Sequence, residues 1–115
     1  MAPARYSQGE ILLVSLIFSN QTGLKRRPVM VVYDSGDADL LVVPVTSHGE
    51  RSVLDVPLLQ WQNAGLRLAS VVRVEKFATI EKTAIVRPLG RVGAADWPNI
   101  EAALRRLWQQ ILPAG

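Results

Sequence analysis

The segment PVMVVYDSGDADLLVVPV, residues 28–45, holds two apolar runs around a polar turn. Pro28 to Tyr33 and Leu40 to Val45 are too short for typical helices and rich in β-branched residues, so each reads as a buried strand. Asp34-Ser35-Gly36-Asp37 supplies the turn between them. Pro28 opens the first strand, and Pro44, which has no N–H to give a sheet ladder, marks an edge or bulge near the end of the second.

Working outward, Glu10 to Leu16 follows Gly9 and reads as an earlier strand. Ser19-Asn20-Gln21-Thr22-Gly23 forms a turn, and Lys25-Arg26-Arg27 completes a long basic loop leading to Pro28. On the C-terminal side, the polar loop Ser47 to Arg51 precedes a strand over Val53 to Pro57. Leu58 to Asn63 forms a short helical turn that Gly65 terminates. Ser70 to Phe77 and Ala84 to Arg91 supply two more strands. Six short strands in succession predict a mainly β, antiparallel barrel.

The end of the chain changes period. Ile100, Ala103, Leu104, Leu107, Trp108 and Ile111 recur at helical spacing, with Asp96 capping the first turn and Pro113 and Gly115 beyond the last. This C-terminal amphipathic helix is expected to close the barrel with its apolar stripe, Trp108 included. Trp61 and Trp97 are assigned to packing as well.

The 115 residues (1–115) are read as one domain, and covering apolar surface in a homodimer helps so small a core. With no cysteine and His48 as the only histidine, disulfides, thiolate chemistry and cysteine or histidine-pair metal sites are excluded within one chain. No metal or other cofactor is expected. The apolar run Ile11 to Phe18 falls far short of the about 20 residues that span a bilayer, and Met1 to Tyr6 lacks the pattern of a signal peptide. No membrane association and a cytoplasmic location are expected; Met1 to Tyr6 and Pro113 to Gly115 are expected to fray. The net charge of +3 favours acidic partners such as nucleic acid.

Strand alternation predicts that Arg73 and Glu75 share one face while Val72 and Val74 share the other. RNA cleavage by internal transesterification needs a base for the ribose hydroxyl, donors for the charged phosphate and a proton for the leaving oxygen. Glu75 suits the base and Arg73 the phosphate, while Arg27 stands before Pro28. Read singly, the same residues make a solvated surface pair and a soluble strand edge, and Thr46 and Ser47 make a turn. His48 carries an imidazole able to exchange protons near neutrality, but nothing in the sequence orients its ring, so it reads as a polar loop residue.

Taken together, Gly9-Glu10-Ile11, Lys25-Arg26-Arg27-Pro28, Pro44-Val45-Thr46-Ser47 and Val71-Val72-Arg73-Val74-Glu75 resemble, in order and spacing, the PemK/MazF family of toxin–antitoxin ribonucleases. The resemblance runs from about Gly9 through the terminal helix. It implies an SH3-like barrel, a homodimer, a cognate antitoxin that masks the RNA site, and metal-independent, sequence-selective cleavage of single-stranded RNA. It further implies catalytic roles for Arg27, Thr46, Arg73 and Glu75, with Lys25, Arg26, Ser47 and His48 as RNA-binding candidates. Two departures stand out: Kid-like members carry aspartate at the position of Glu75, and they carry a histidine in the first long loop, where this chain has none and Lys25 or Arg26 supplies the charge. Proteins of this fold differ in function through their surfaces, so a CcdB-like gyrase poison and a non-catalytic SH3-like binding module are the competing readings.

Overall fold

The computed structural model describes residues 3–17 and 23–113. The turn read at residues 19–22 therefore lies outside the described residues. The strands are β1 (Glu10–Ile17), β2 (Leu24–Tyr33), β3 (Asp39–Thr46), β4 (Asp55–Pro57), β5 (Val71–Arg73), β6 (Ala78–Glu81) and β7 (Ile85–Arg91), followed by helix α1 (Trp97–Ile111). The fold class is as expected, mainly antiparallel β with one C-terminal helix.

The hydrogen-bonded path runs β4-β5-β3-β2-β1-β7, with β6 branching from β3. Among the described residues its two ends, β4 and β7, do not pair with each other, so the barrel stays open. Lys25-Arg26-Arg27 are not loop residues as expected: they lie on β2, opposite Leu16, Ser15 and Val14 of β1. A paired neighbour overrides the weak strand preference of three cations.

β3 is shared along its length. Thr46 and Val45 pair with β5, whereas Asp39–Val42 pair with β6. Between these partners the expected strand over Ser70 to Phe77 breaks, because Val74–Lys76 turn out of register as a single 3₁₀ turn. Val74 is buried there, and Glu75 and Lys76 are exposed.

Alternation along the strands builds two apolar clusters. Ile11, Met30, Val43, Val45 and Val72 join Ile100 and Ala103 of α1 in one; Leu12, Val14, Val29, Val31, Val42 and Ile80 form the other. Full burial of each such side chain is worth about 1.5–3 kcal/mol, so the helix is held by its first turns. Its stripe then overruns the sheet. Leu104 and Leu107 still pack on the first cluster, but Trp108 is 63% exposed, contrary to the expected core position. Trp61 and Trp97 pack against the core as expected.

Asp96 stands at the helix N-cap but makes no side-chain cap hydrogen bond there. Its fully buried carboxylate instead accepts the N–H groups of Leu59 (2.7 Å) and Gln60 (2.8 Å), fastening the β4–β5 connection to the helix start. Gly65 is needed in that connection: its φ is +81°, and a Cβ would collide with the Leu89 carbonyl. Close to the N-terminus, residues expected to fray are tied down. Asp34 accepts the Tyr6 N–H at 2.8 Å, and Lys82 bridges the Ala4 carbonyl (2.7 Å) and Asp34 (3.0 Å).

Candidate functional site

A cleft of about 940 Å³ opens on the sheet, with Val29, Val42 and Ile80 of the second cluster in its lining. β2 brings Arg26 and Arg27 to it, and the end of β3 brings Thr46, Ser47 and His48. These five candidates, chosen from segments far apart in sequence, therefore meet. β2 and β3 are adjacent, with Val29 opposite Pro44, so the arginine-proline pair and the threonine segment sit at the same end of neighbouring strands.

Arg67 of the β4–β5 connection, Lys76 of the 3₁₀ turn and Arg87 of β7 complete the charged lining. Sequence reading singled out none of the three. Arg87 had a usable signal: Arg87-Pro88 repeats Arg27-Pro28, and β1 lies between the two, with Leu13 opposite both Pro28 and Arg87. Arg67 and Lys76 arrive through irregular backbone, which period-based reading does not place. Among the described residues the lining has five cationic side chains and no carboxylate.

Within the loop after β3, the backbone N–H of His48 donates to Thr46 Oγ1 at 3.2 Å, and the same hydroxyl lies 2.9 Å from His48 Nδ1. The ring is thus oriented by a hydrogen bond, contrary to the sequence-based expectation. A hydroxyl can hold both contacts because its oxygen has two lone pairs and one proton. Arg27, on exposed β2 backbone, donates from Nη1 to the Arg26 carbonyl at 3.0 Å. Guanidinium groups so placed can bind phosphate oxygens bidentately and stabilise charge that develops on them.

Arg73 and Glu75 do not form the expected pair on one strand face, because β5 ends at Arg73 and Glu75 sits on the out-of-register turn. Neither residue lines the cleft, nor does Lys25, half-buried on β2. Arg73 Nη1 instead contacts Asp55 Oδ2 at 2.8 Å across the β4–β5 ladder, and its Nη2 donates to the Gly49 carbonyl at 3.0 Å. Asp55 is itself buried and also accepts the Arg51 N–H at 2.8 Å. One buried ion pair thereby grips the loop at Gly49 and Arg51, directly after His48. The sequence missed Asp55 because its partner is fixed by cross-strand register, which no local motif reveals.

Among the described residues no cluster of three or more carboxylate, histidine or cysteine side chains is arranged to hold a metal ion, and no helix is long and apolar enough to cross a membrane. The lining offers guanidinium, ammonium, hydroxyl and imidazole groups, a set that suits a phosphate ester better than a divalent cation, which takes anionic oxygen ligands.

No curated protein matches the chain. Solved structures share its fold. The Mycobacterium tuberculosis toxin MazF-mt6 is 23% identical with a TM-score of 0.69, the match covering 87% of this chain and 96% of that one. An endoribonuclease solved in complex with its cognate antitoxin from a mycobacterial species is 20% identical, with a TM-score of 0.69 over 96% of this chain and all (100%) of that one. A MazE–MazF structure from Deinococcus radiodurans matches at 19% identity and a TM-score of 0.68, covering 96% of this chain and 98% of that one. Residues 7–108 match the family described as PemK-like, MazF-like toxin of type II toxin–antitoxin systems, and with nearly its whole length matched the chain belongs to that family.

Proposed function

We propose that the chain is the toxin of a type II toxin–antitoxin pair and a sequence-selective endoribonuclease that cuts single-stranded RNA without a metal cofactor, inhibiting translation and growth. The observation that carries this reading is the cleft lining: among the described residues, five cations, no carboxylate, and Thr46, Ser47 and His48 at its edge. Such a surface attracts a polyanion and can stabilise a pentavalent phosphate. The 2′-oxygen attacks the adjacent phosphorus, the bond to the 5′-oxygen breaks, and the products carry a 2′,3′-cyclic phosphate and a free 5′-hydroxyl. Arg27 stabilises the phosphate charge and Thr46 donates to a phosphate oxygen. Arg73 acts from outside the cleft, holding the loop that carries Thr46 through His48.

The same basic cleft suits an acidic segment of a cognate antitoxin, in keeping with the antitoxin complexes among the structural relatives. A homodimer that covers exposed apolar side chains such as Trp108 and Leu112 completes the proposal. Incubation of the purified chain with single-stranded RNA in excess chelator, followed by end-group analysis, tests the chemistry. Cyclic-phosphate and 5′-hydroxyl ends are expected. Cleavage that only a divalent metal restores overturns the mechanism, and intact RNA with gyrase-dependent DNA breaks supports the competing gyrase-poison reading.

A further inference from the structure

We propose that His48 is the general base of the cleavage reaction, held for that task by Thr46. The inference rests on the ribonuclease reading above and deepens it by naming the group that takes the ribose proton. Three observations converge on the ring. It lines the cleft beside Ser47 and the arginines of β2; Nδ1 is 2.9 Å from Thr46 Oγ1; and Nε2 has no hydrogen-bond partner among the described residues.

The proposed role requires one of the two tautomers that these contacts allow. If Nδ1 carries the proton and donates to Thr46 Oγ1, that oxygen accepts two donors, the ring and the His48 backbone N–H, and its own proton is released to point at a phosphate oxygen. Nε2 then holds a lone pair. Proton uptake at Nε2 gives an imidazolium that keeps the same bond from Nδ1, so one geometry serves both protonation states. The opposite tautomer has Thr46 donating to Nδ1, leaving the hydroxyl without a proton for phosphate and Nε2 without a lone pair.

In the proposed step, Nε2 takes the 2′-hydroxyl proton, the 2′-oxygen electron pair forms the new bond to phosphorus, and the bond to the 5′-oxygen breaks. The leaving oxygen takes a proton from water, and the imidazolium returns its proton to the resulting hydroxide. No redox change occurs. Glu75, the carboxylate at the position of the family's acid, stands on the exposed turn and is not among the lining residues, whereas His48 is, so placement favours the imidazole.

The charged residues sharing the cleft are Arg26 and Arg27 of β2, Arg67, Lys76 and Arg87, and Glu50 and Arg51 follow His48 on its own loop. Arginine and lysine ordinarily stay charged across neutral pH, whereas an imidazole changes its charge between about pH 5 and 8. The experiment is single-turnover cleavage of a labelled RNA from pH 5 to 9 by the full chain and by His48→Gln, Glu75→Gln and Thr46→Val.

Wild type is expected to show a rising acid limb, and His48→Gln to lose about 100-fold to 10,000-fold in rate together with that limb. Added imidazole is expected to restore part of the activity of His48→Ala, which separates a lost base from a damaged fold. Thr46→Val is expected to distort the limb and Thr46→Ser to recover it. An unchanged profile in His48→Gln, or loss of the limb in Glu75→Gln instead, overturns the assignment while leaving the ribonuclease reading in place. Wild-type chain that leaves RNA intact overturns that reading itself.

Discussion

Two buried carboxylates flank β3 along the chain, each gripping a cation, yet the two ion pairs serve different parts of the molecule. Beyond the C-terminal end of β3, Asp55 pairs with Arg73 and together they hold the loop at Gly49 and Arg51, beside the cleft. Before its N-terminal end, Asp34 pairs with Lys82 and together they hold Ala4 and Tyr6, none of which lines the cleft. Similar chemistry fastens a loop that presents candidate catalytic groups in one place and a chain terminus in the other. Charge in a buried pair positions backbone; on the proposed function, charge in the cleft, which has no carboxylate among its described lining residues, is what a phosphate meets.

The largest effect that tests this contrast is expected from Asp55→Ala. Removing one partner of a buried ion pair costs about 3–5 kcal/mol, because the other charge is left uncompensated. Chemical denaturation should show that loss, and RNA cleavage should fall further than the folded fraction, since the 46–51 loop loses its anchor. Cleavage that tracks the folded fraction alone would reduce the pair to a purely structural role.

Asp34→Asn is expected to cost less, about 3 kcal/mol, because the flexible stem of Lys82 can carry its ammonium back to water. Here cleavage per folded molecule should stay at the wild-type level. A selective loss of cleavage would break the distinction between the two ends.

The same end of β3 also sets an acid limit. Burial by itself raises the Asp34 pKa, but the Tyr6 N–H, the Lys82 ammonium and the Gly36 N–H outweigh it and lower the value from 3.8 to about 2. A carboxylate whose folded pKa is depressed stabilises the fold above its unfolded pKa and loses that contribution as pH falls toward the folded one. Thermal melts should therefore show stability declining between about pH 4 and 2, and Asp34→Asn should flatten that decline. An equally steep decline in the variant would remove Asp34 as its source.

Much of this arrangement was legible in the sequence. The apolar runs located β1, β2 and β3, and the heptad-like spacing located α1, because alternation and helical period are local signals. The sequence nominates Lys25, Arg26, Arg27, Thr46, Ser47, His48, Arg73 and Glu75, and adjacent strands bring Arg26, Arg27, Thr46, Ser47 and His48 to one cleft. What was missed depends on long-range geometry. Continuing period 2 through Val74–Lys76 puts Glu75 on a strand face, whereas the chain turns out of register there and β6 pairs with β3 beyond it. Asp55 and Arg73 find each other only through the β4–β5 register. Trp108 keeps the helical period of a core residue but lies beyond the sheet that α1 covers.

That last placement yields the smallest expected effect. Trp108→Ser should change the folding stability of the monomer, measured at a dilution that separates the proposed dimer, by within about 0.5 kcal/mol, as exposed substitutions do. A loss of about 3–5 kcal/mol, typical of truncating a core tryptophan, would contradict the exposed position.

The proposed function requires the cleft cations to act on phosphate, and Arg27→Ala tests that most directly. Cleavage of single-stranded RNA should be measured alongside denaturation of the same preparation. Loss of a preorganised electrostatic donor is expected to lower turnover by about 100-fold to 1,000-fold, with folding stability shifted by within about 0.5 kcal/mol. Unchanged cleavage by folded Arg27→Ala would contradict the assignment of the cleft as the site of RNA cleavage.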